Sequence, residues 1–237
     1  MPKRVVMVLA SLAGIFLAVA GILFPVVVFP QAANSIELAR HLSNNQFLSL
    51  VYVGAILLSN LLIAPVLLLL SLRLYPLKPA IALSAGVVAG TALMLETVAV
   101  LLSLARWTWA IPSAASDPAA AKMFETLQSL WLFVDLPGAV LFYCAAVIYA
   151  AGVWKLHVFS AWSLAASTGL FLLGGLLTPL SALVGAITCA VSIIVYGLAY
   201  FALGDLTIAL EANTPFKLTF KGRDNTVVAE WLTRSHN

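Results

Sequence analysis

The sequence predicts an all-α, polytopic membrane bundle of six transmembrane helices with both termini on the cytoplasmic side. Three observations carry this. Of 237 residues, 63% are hydrophobic and only 9% are Asp, Glu, Lys or Arg, against about 25% charged residues in an ordinary soluble domain. The apolar residues gather into runs long enough to span a bilayer, which takes about 20 residues. The Lys and Arg residues fall on one side of those runs.

The runs are 5–29, 47–71, 79–105, 129–154, 158–178 and 180–204. The first follows Met1-Pro-Lys-Arg4 and begins like a signal peptide. Its 25 apolar residues exceed the roughly 7–15 of a cleavable core, and no clean Ala-x-Ala site follows, so it is read as a retained span. The last two are separated by argument, because no Asp, Glu, Lys or Arg occurs in the 49 residues between Lys155 and Asp205. That stretch is too long for one helix and fits two. Thr178-Pro179-Leu180-Ser181 is the turn, since proline lacks the N–H that continues a helix and restricts the residue before it.

Six spans return the chain to its starting side. Lys3, Arg4, Arg73, Lys78, Lys155, Lys217, Lys221, Arg223 and Arg234 lie there, nine in all, against Arg40, Arg106 and Lys122 opposite. The positive-inside rule places the nine in the cytoplasm. With a net charge of only +3, these scattered cations mark topology and do not form a nucleic-acid surface. Residues 1–210 make one transmembrane domain, and 211–237 a cytoplasmic basic tail. The tail alternates at Phe216, Leu218 and Phe220 and turns at Gly222-Arg-Asp-Asn225, as either a small hairpin or a disordered segment.

The outer connections carry helix signals. Asn34-Ser-Ile-Glu37 has capping-box spacing, Glu37 can pair with Arg40 or His41, and Ile36, Leu38 and Leu42 give a short surface helix an apolar side. Arg106-Trp-Thr-Trp109 reads as an interfacial aromatic anchor. Asp117-Pro118 starts a helix, with proline at its first position, that runs through Lys122 and Glu125 into the fourth span. Cys144 and Cys189 lie inside spans at depths about 10 Å apart by helical rise, beyond the roughly 7 Å a disulfide tolerates.

Two carboxylates break the apolar pattern. Glu96 belongs to a seam of Ala85, Ala89, Ala92, Glu96, Ala99 and Ser103, spaced 4-3-4-3-4, with Ala82, Gly86 and Gly90 as a second ridge of small residues. Small residues let helices approach closely in lipid, so Glu96 faces another helix. It lies about 15 Å from the outer boundary, near the midplane. Asp135 lies roughly 7–8 Å inside the outer end of its span, beside Pro137, where a kink is expected. Its face continues through Gln128, Trp131, Gly138, Phe142, Ala145 and Tyr149. An ionisable group at the centre of a helix in lipid costs roughly 2.5–3.5 kcal/mol on insertion scales and defaults to a functional hypothesis.

Asn60 and Tyr52 on the second span complete a candidate cluster, Glu96, Asp135, Asn60 and Tyr52, that would bind a proton, a cation or a small ligand from the outer side. With roughly 8 Å between the carboxylates along the membrane normal, direct contact is not expected. No Lys, Arg or His lies at the depth of Glu96, so the neutral acid is its expected form. The competing reading is packing: Glu96 hydrogen-bonds Asn60 or a backbone carbonyl, a bond averaging only about 0.6 kcal/mol, while Asp135 snorkels or lines a wet vestibule.

No P-loop, His-Glu-x-x-His, Cys-x-x-Cys or Gly-x-Ser-x-Gly motif occurs. His41, His157 and His236 are too scattered for a metal site. No cofactor is expected, and the sequence leans away from an enzyme. The partners implied are the lipid bilayer, a small ligand or proton, and a membrane-protein partner or second copy, with no nucleic acid. A small carrier or permease component is the first functional reading, although no inverted repeat supports it. A non-transporting accessory or sensor subunit is the second. An intramembrane enzyme using Glu96 and Asp135 ranks last.

Six spans, Phe124-Glu-Thr-Leu127 leading into the fourth, an acid within the third (Thr91-Ala-Leu-Met-Leu-Glu96) and a short basic turn before Trp162 resemble the small bacterial inner-membrane proteins of domain-of-unknown-function family 4386. The resemblance covers about residues 5–210. It implies a six-helix inner-membrane bundle and supplies no activity. The third span lacks the arginine associated with the acid in that family, which puts an ion pair there in doubt.

Overall fold

The computed structural model describes residues 1–27, 35–106, 117–213, 217–221 and 227–232. Seven helices account for nearly all of these: α1 (Lys3–Val27), α2 (Ser35–Asn44), α3 (Gln46–Leu74), α4 (Pro79–Ala105), α5 (Pro118–Val153), α6 (Val158–Leu177) and α7 (Ala182–Asn213). All but α2 are long and apolar enough to cross a membrane. The chain is therefore an integral multi-span membrane protein. Its fifth and sixth spans part where proline requires it, α6 ending at Leu177 and α7 beginning at Ala182.

The six long helices form a ring in chain order. Each packs on the next, α7 closes on α1, and α3 also meets α7 across the middle. Two helix starts follow their sequence signals. Asp117 caps α5 by accepting a hydrogen bond from the Ala119 N–H at 2.9 Å, with Pro118 at the first helical position. From there α5 runs 36 residues without interruption, through Pro137. At α6, His157 is the cap, its Nδ1 accepting from the Ser160 N–H at 3.3 Å.

The α1–α7 contact rests on glycine. A Cβ on Gly14 would stand 2.5 Å from the Gly197 carbonyl oxygen, and one on Gly197 would stand 2.7 Å from that of Gly14. Gly21 meets Ala190 and Ile194 in the same way, and Gly204 meets Ala10. Backbones can approach this closely only where neither helix carries a side chain.

At the end of the bundle that carries the two termini, cations tie helices together. Arg73 is buried in the last turn of α3 and donates to the Thr207 carbonyl of α7. Lys78 Nζ donates to the Gly152 carbonyl of α5 at 2.6 Å. Both were expected as loop charges that mark topology, and both also satisfy backbone acceptors where helices meet. At the other end, α2 inserts Ala39 and Leu42 among Val27, Tyr52, Val53 and Phe124, and His41 Nε2–H donates to the Val26 carbonyl at 3.0 Å.

After α7, strands β1 (Lys217–Lys221) and β2 (Val227–Leu232) pair antiparallel, with an irregularity between Phe220 and Lys221. Of the two forms the tail could take, this is the hairpin. Its turn residues, like Asn34 and Trp107 to Trp109, lie outside the described residues. Cys144 and Cys189 are both free thiols.

The seam yields a contrast. Gly14→Val forces side-chain atoms into the α1–α7 backbone contact and is expected to cost about 1–3 kcal/mol or more. Gly54 has nothing within 4 Å of its Cβ position, so Gly54→Ala should leave stability unchanged or slightly raised. Thermal unfolding in detergent micelles reads both.

Candidate functional site

The site is built from α3, α4 and α5 near the end of the bundle away from the termini. Ala85, Ala89, Ala92, Ala99 and Ser103 of α4 are all buried, as the seam requires, and Glu96 among them is half-buried. Gly138 of α5 lies directly against it: a Cβ there would stand 3.0 Å from Glu96 Oε1 and 3.4 Å from Glu96 N. The third span thus meets the fourth at the acid itself.

Asp135 is one helical turn nearer the outer end of α5, about 4.5 Å along the axis from Gly138. It is within electrostatic reach of Glu96 on one side and of Arg106 on the other. The separation along the normal is smaller than the sequence implied, because the close α4–α5 contact aligns Gly138, and not a deeper residue, with Glu96.

Arg106 is the residue that sequence reasoning misplaced. It was expected as part of a surface anchor, and it is 5% exposed. Its guanidinium lies 5.4 Å from the ring centre of Phe124 and 5.0 Å from that of Trp131, both on α5. Cations at such distances are attracted to the ring face, most strongly when desolvated. No contact ion pair joins Arg106 to Asp135 among the described residues. Burial lowers Arg106 to about 10, and Asp135 opposes that shift, so the guanidinium remains a cation at neutral pH. The signal was present in the sequence: Arg106 extends the spacing 85, 89, 92, 96, 99, 103 by three more residues, onto the same buried face.

A cavity of about 30 Å³ opens beside this cation, lined among others by Tyr52, Ser103, Arg106, Gln128 and Trp131. Arg106 Nε and Gln128 Oε1 are buried there without hydrogen-bond partners. Tyr52, 9% exposed, is within electrostatic reach of both carboxylates. Toward the opposite end, the interior is filled by tyrosines. Tyr143 and Ser192 share a hydrogen bond at 2.8 Å, Ser192 Oγ donates to the Ser167 carbonyl at 2.6 Å, and Tyr196 Oη donates to the Phe142 carbonyl at 3.3 Å. Tyr200 Oη is buried without a partner, within electrostatic reach of Glu96.

The structure thus gathers Glu96, Asp135 and Tyr52, adds Arg106, Ser103, Gln128 and Trp131, and leaves Asn60 apart. Asn60 lines a separate groove between α3 and α4. Its Nδ2 has no partner, and no hydrogen bond joins it to Glu96 among the described residues. The interhelical Glu96–Asn60 bond of the packing reading is therefore not formed. No group of His, Cys, Asp and Glu among the described residues is arranged to hold a metal ion.

Comparison with protein-family models, with curated proteins and with solved structures finds no match to this chain.

The aromatic clamp on Arg106 is testable without touching any charge. Trp131→Leu should lower stability by about 0.5–2 kcal/mol through loss of one cation–π face, while Trp131→Phe should retain most of it. Thermal unfolding in nanodiscs compares them, and equal losses would contradict the stacking.

Proposed function

We propose that the chain lies in a cell membrane, the inner membrane of a bacterium, with both termini cytoplasmic. Its outward-facing cluster of Glu96, Asp135 and Arg106 holds one exchangeable proton. The nine-to-three bias of Lys and Arg supports the orientation. On this reading the protein is a small carrier or permease component that couples to that proton. Divergent kinship with domain-of-unknown-function family 4386 belongs to the same proposal, resting on the acid in the third span and the segments around Phe124 and Trp162.

One observation carries the choice of ligand: two carboxylates lie within electrostatic reach of one another, and the outer one, Asp135, lies within reach of one buried guanidinium. Uncompensated charge is costly in this layer. Two acids and one cation leave one negative charge, which a single proton removes. A metal cation is disfavoured by Arg106, whose positive charge repels it. An organic ligand is disfavoured by size, because the cavity of about 30 Å³ has room for about two or three water molecules, each needing about 10–15 Å³. Water there would satisfy Arg106 Nε and Gln128 Oε1 and link Tyr52 and Ser103 to the outer surface.

The same small cavity favours the second reading in one respect. A non-transporting accessory or sensor subunit needs to register a proton but not to pass a solute. Intramembrane catalysis would need Glu96 to face a substrate-sized space, and the groove of about 670 Å³ between α3 and α4 is lined by its neighbour Thr97 instead.

Charge counting gives an unusual pattern for infrared titration of the protein in nanodiscs near neutral pH. Wild type should show one protonated carboxyl in the interior. Glu96→Gln should show none, because Asp135 is balanced by Arg106, whereas Asp135→Asn should still show one, because Glu96 lies about 15 Å from that cation by helical rise. Arg106→Gln should show two. A protonated carboxyl that persists in Glu96→Gln would end the one-proton account. Proton-linked uptake into proteoliposomes, absent in Glu96→Gln, separates carrier from sensor.

A further inference from the structure

The cavity beside Arg106 is roofed by the short helix α2. Leu38 and Leu42, one turn apart, line it on that side, and its other lining residues come from α1, α3, α5 and the end of α4. Leu42 is 2% exposed and Ala39 1%, whereas Glu37, Arg40, Ser43 and Asn44 are exposed. Water therefore meets the polar side of α2, and the cavity meets its leucines.

The attachment of α2 lets it turn as a unit. A single residue, Asn45, separates it from α3. There the backbone leaves helical geometry, with φ −110° and ψ 28°. The Asn45 N–H and Nδ2–H both donate to the His41 carbonyl, at 3.1 and 3.0 Å, and so close the last turn of α2 locally. Two kinds of contact seat α2 on the bundle. Leu38, Ala39 and Leu42 pack into the outer apolar cluster, and His41 Nε2–H donates to the Val26 carbonyl at 3.0 Å. Val26 is in the last turn of α1, where carbonyls have no partner within the helix. With ten residues, α2 is shorter than the roughly 12–15 at which an isolated helix is even marginally stable, so it depends on this seat.

We propose that α2 is the outer gate of the proton site. Seated, its leucines seal the cavity from outside water; pivoting about Asn45 opens it, and His41 is the latch. The gate regulates the site proposed above and rests on that reading, in which the cavity is the outer approach to Asp135 and Glu96. Thiol labelling reads access and the infrared proton count reads occupancy, so either can fail without the other.

The test uses the full chain in phospholipid nanodiscs, with Cys144→Ser and the reporter Ser103→Cys in the cavity wall. The probe is a sulfonate-bearing methanethiosulfonate, too polar to enter the membrane and larger than the cavity, and mass spectrometry follows its adduct with time. Ser103→Cys should react much more slowly than Ser43→Cys on the exposed side of α2. His41→Ala should raise the Ser103→Cys rate about fivefold, the scale of one hydrogen bond between neutral groups, and leave Ser43→Cys unchanged. Native Cys189, 7% exposed and packed against Gly174 of α6, reports general loosening and should stay unlabelled throughout. A Ser103→Cys rate equal to that of Ser43→Cys would mean that the cavity stands open. A rate unmoved by His41→Ala would mean that α2 does not control access. Either result would overturn the gate, as would Cys189 labelling that rises in step with that of Ser103→Cys.

Discussion

Gly138 lets α5 lie against α4 at the level where Glu96 projects, with Glu96 Oε1 only 3.0 Å from where a Cβ would be and Leu95 Cβ only 3.2 Å away. Much of the outer half depends on this approach. Once these two points are level, helical rise places Asp135 one turn further out. It also sets Trp131 and Gln128 beside Ser103 and Arg106. The result is a ladder of acid, acid and cation along one helix interface, about 15 Å from Glu96 to Arg106. Uncompensated charge is poorly tolerated at this depth, so the three groups depend on one another.

The two halves of the bundle solve their polar problems differently. In the half near the termini, polar groups are joined to backbone or to each other: Arg73 to the Thr207 carbonyl, Lys78 to that of Gly152, Ser71 to Tyr149. The remaining space is filled with Ile63, Leu70, Leu74, Leu203 and Leu206. Tyr200 Oη is left without a partner toward that end, while the outer half retains Arg106 Nε and Gln128 Oε1 unpartnered beside a water-sized cavity. Fully satisfied polar groups rigidify a core, while partly satisfied ones mark places where something binds or exchanges. The proposed proton site lies in the outer half, beside that cavity.

The sequence made the spans legible because hydrocarbon thickness imposes their length, and the proline turn at 178–181 and the Asp117-Pro118 start acted locally. Within α4 the seam was legible too, and the burial of Ala85, Ala89, Ala92, Ala99 and Ser103 follows it. Its continuation to Arg106 was hidden by chemistry: an arginine next to Trp107 reads as an interfacial anchor, and only the facing rings of Phe124 and Trp131 make its burial tolerable. The ridge at Gly86 and Gly90 is used only in part: a Cβ on Gly86 would stand 2.9 Å from Ser71 Oγ of α3, so that glycine does admit a close neighbour. Small residues permit a close approach without supplying the partner, and at Gly90 none comes. Conversely, the closest backbone contact, Gly14 with Gly197, joins residues 183 positions apart, and no spacing rule pairs them. Asn60 was assigned to Glu96 by depth alone, whereas the direction in which each helix faces separates them.

The central claim is that Arg106 and Asp135 compensate each other electrostatically across aromatic packing, without touching. A double-mutant cycle in nanodiscs tests it most directly, using the stabilities of Arg106→Gln, Asp135→Asn and the double variant. Removing the cation alone leaves excess negative charge, and removing Asp135 as well relieves it. The double variant should therefore be more stable than the sum of the single losses implies, with a coupling of about 0.5–3 kcal/mol. Additive losses would contradict the account.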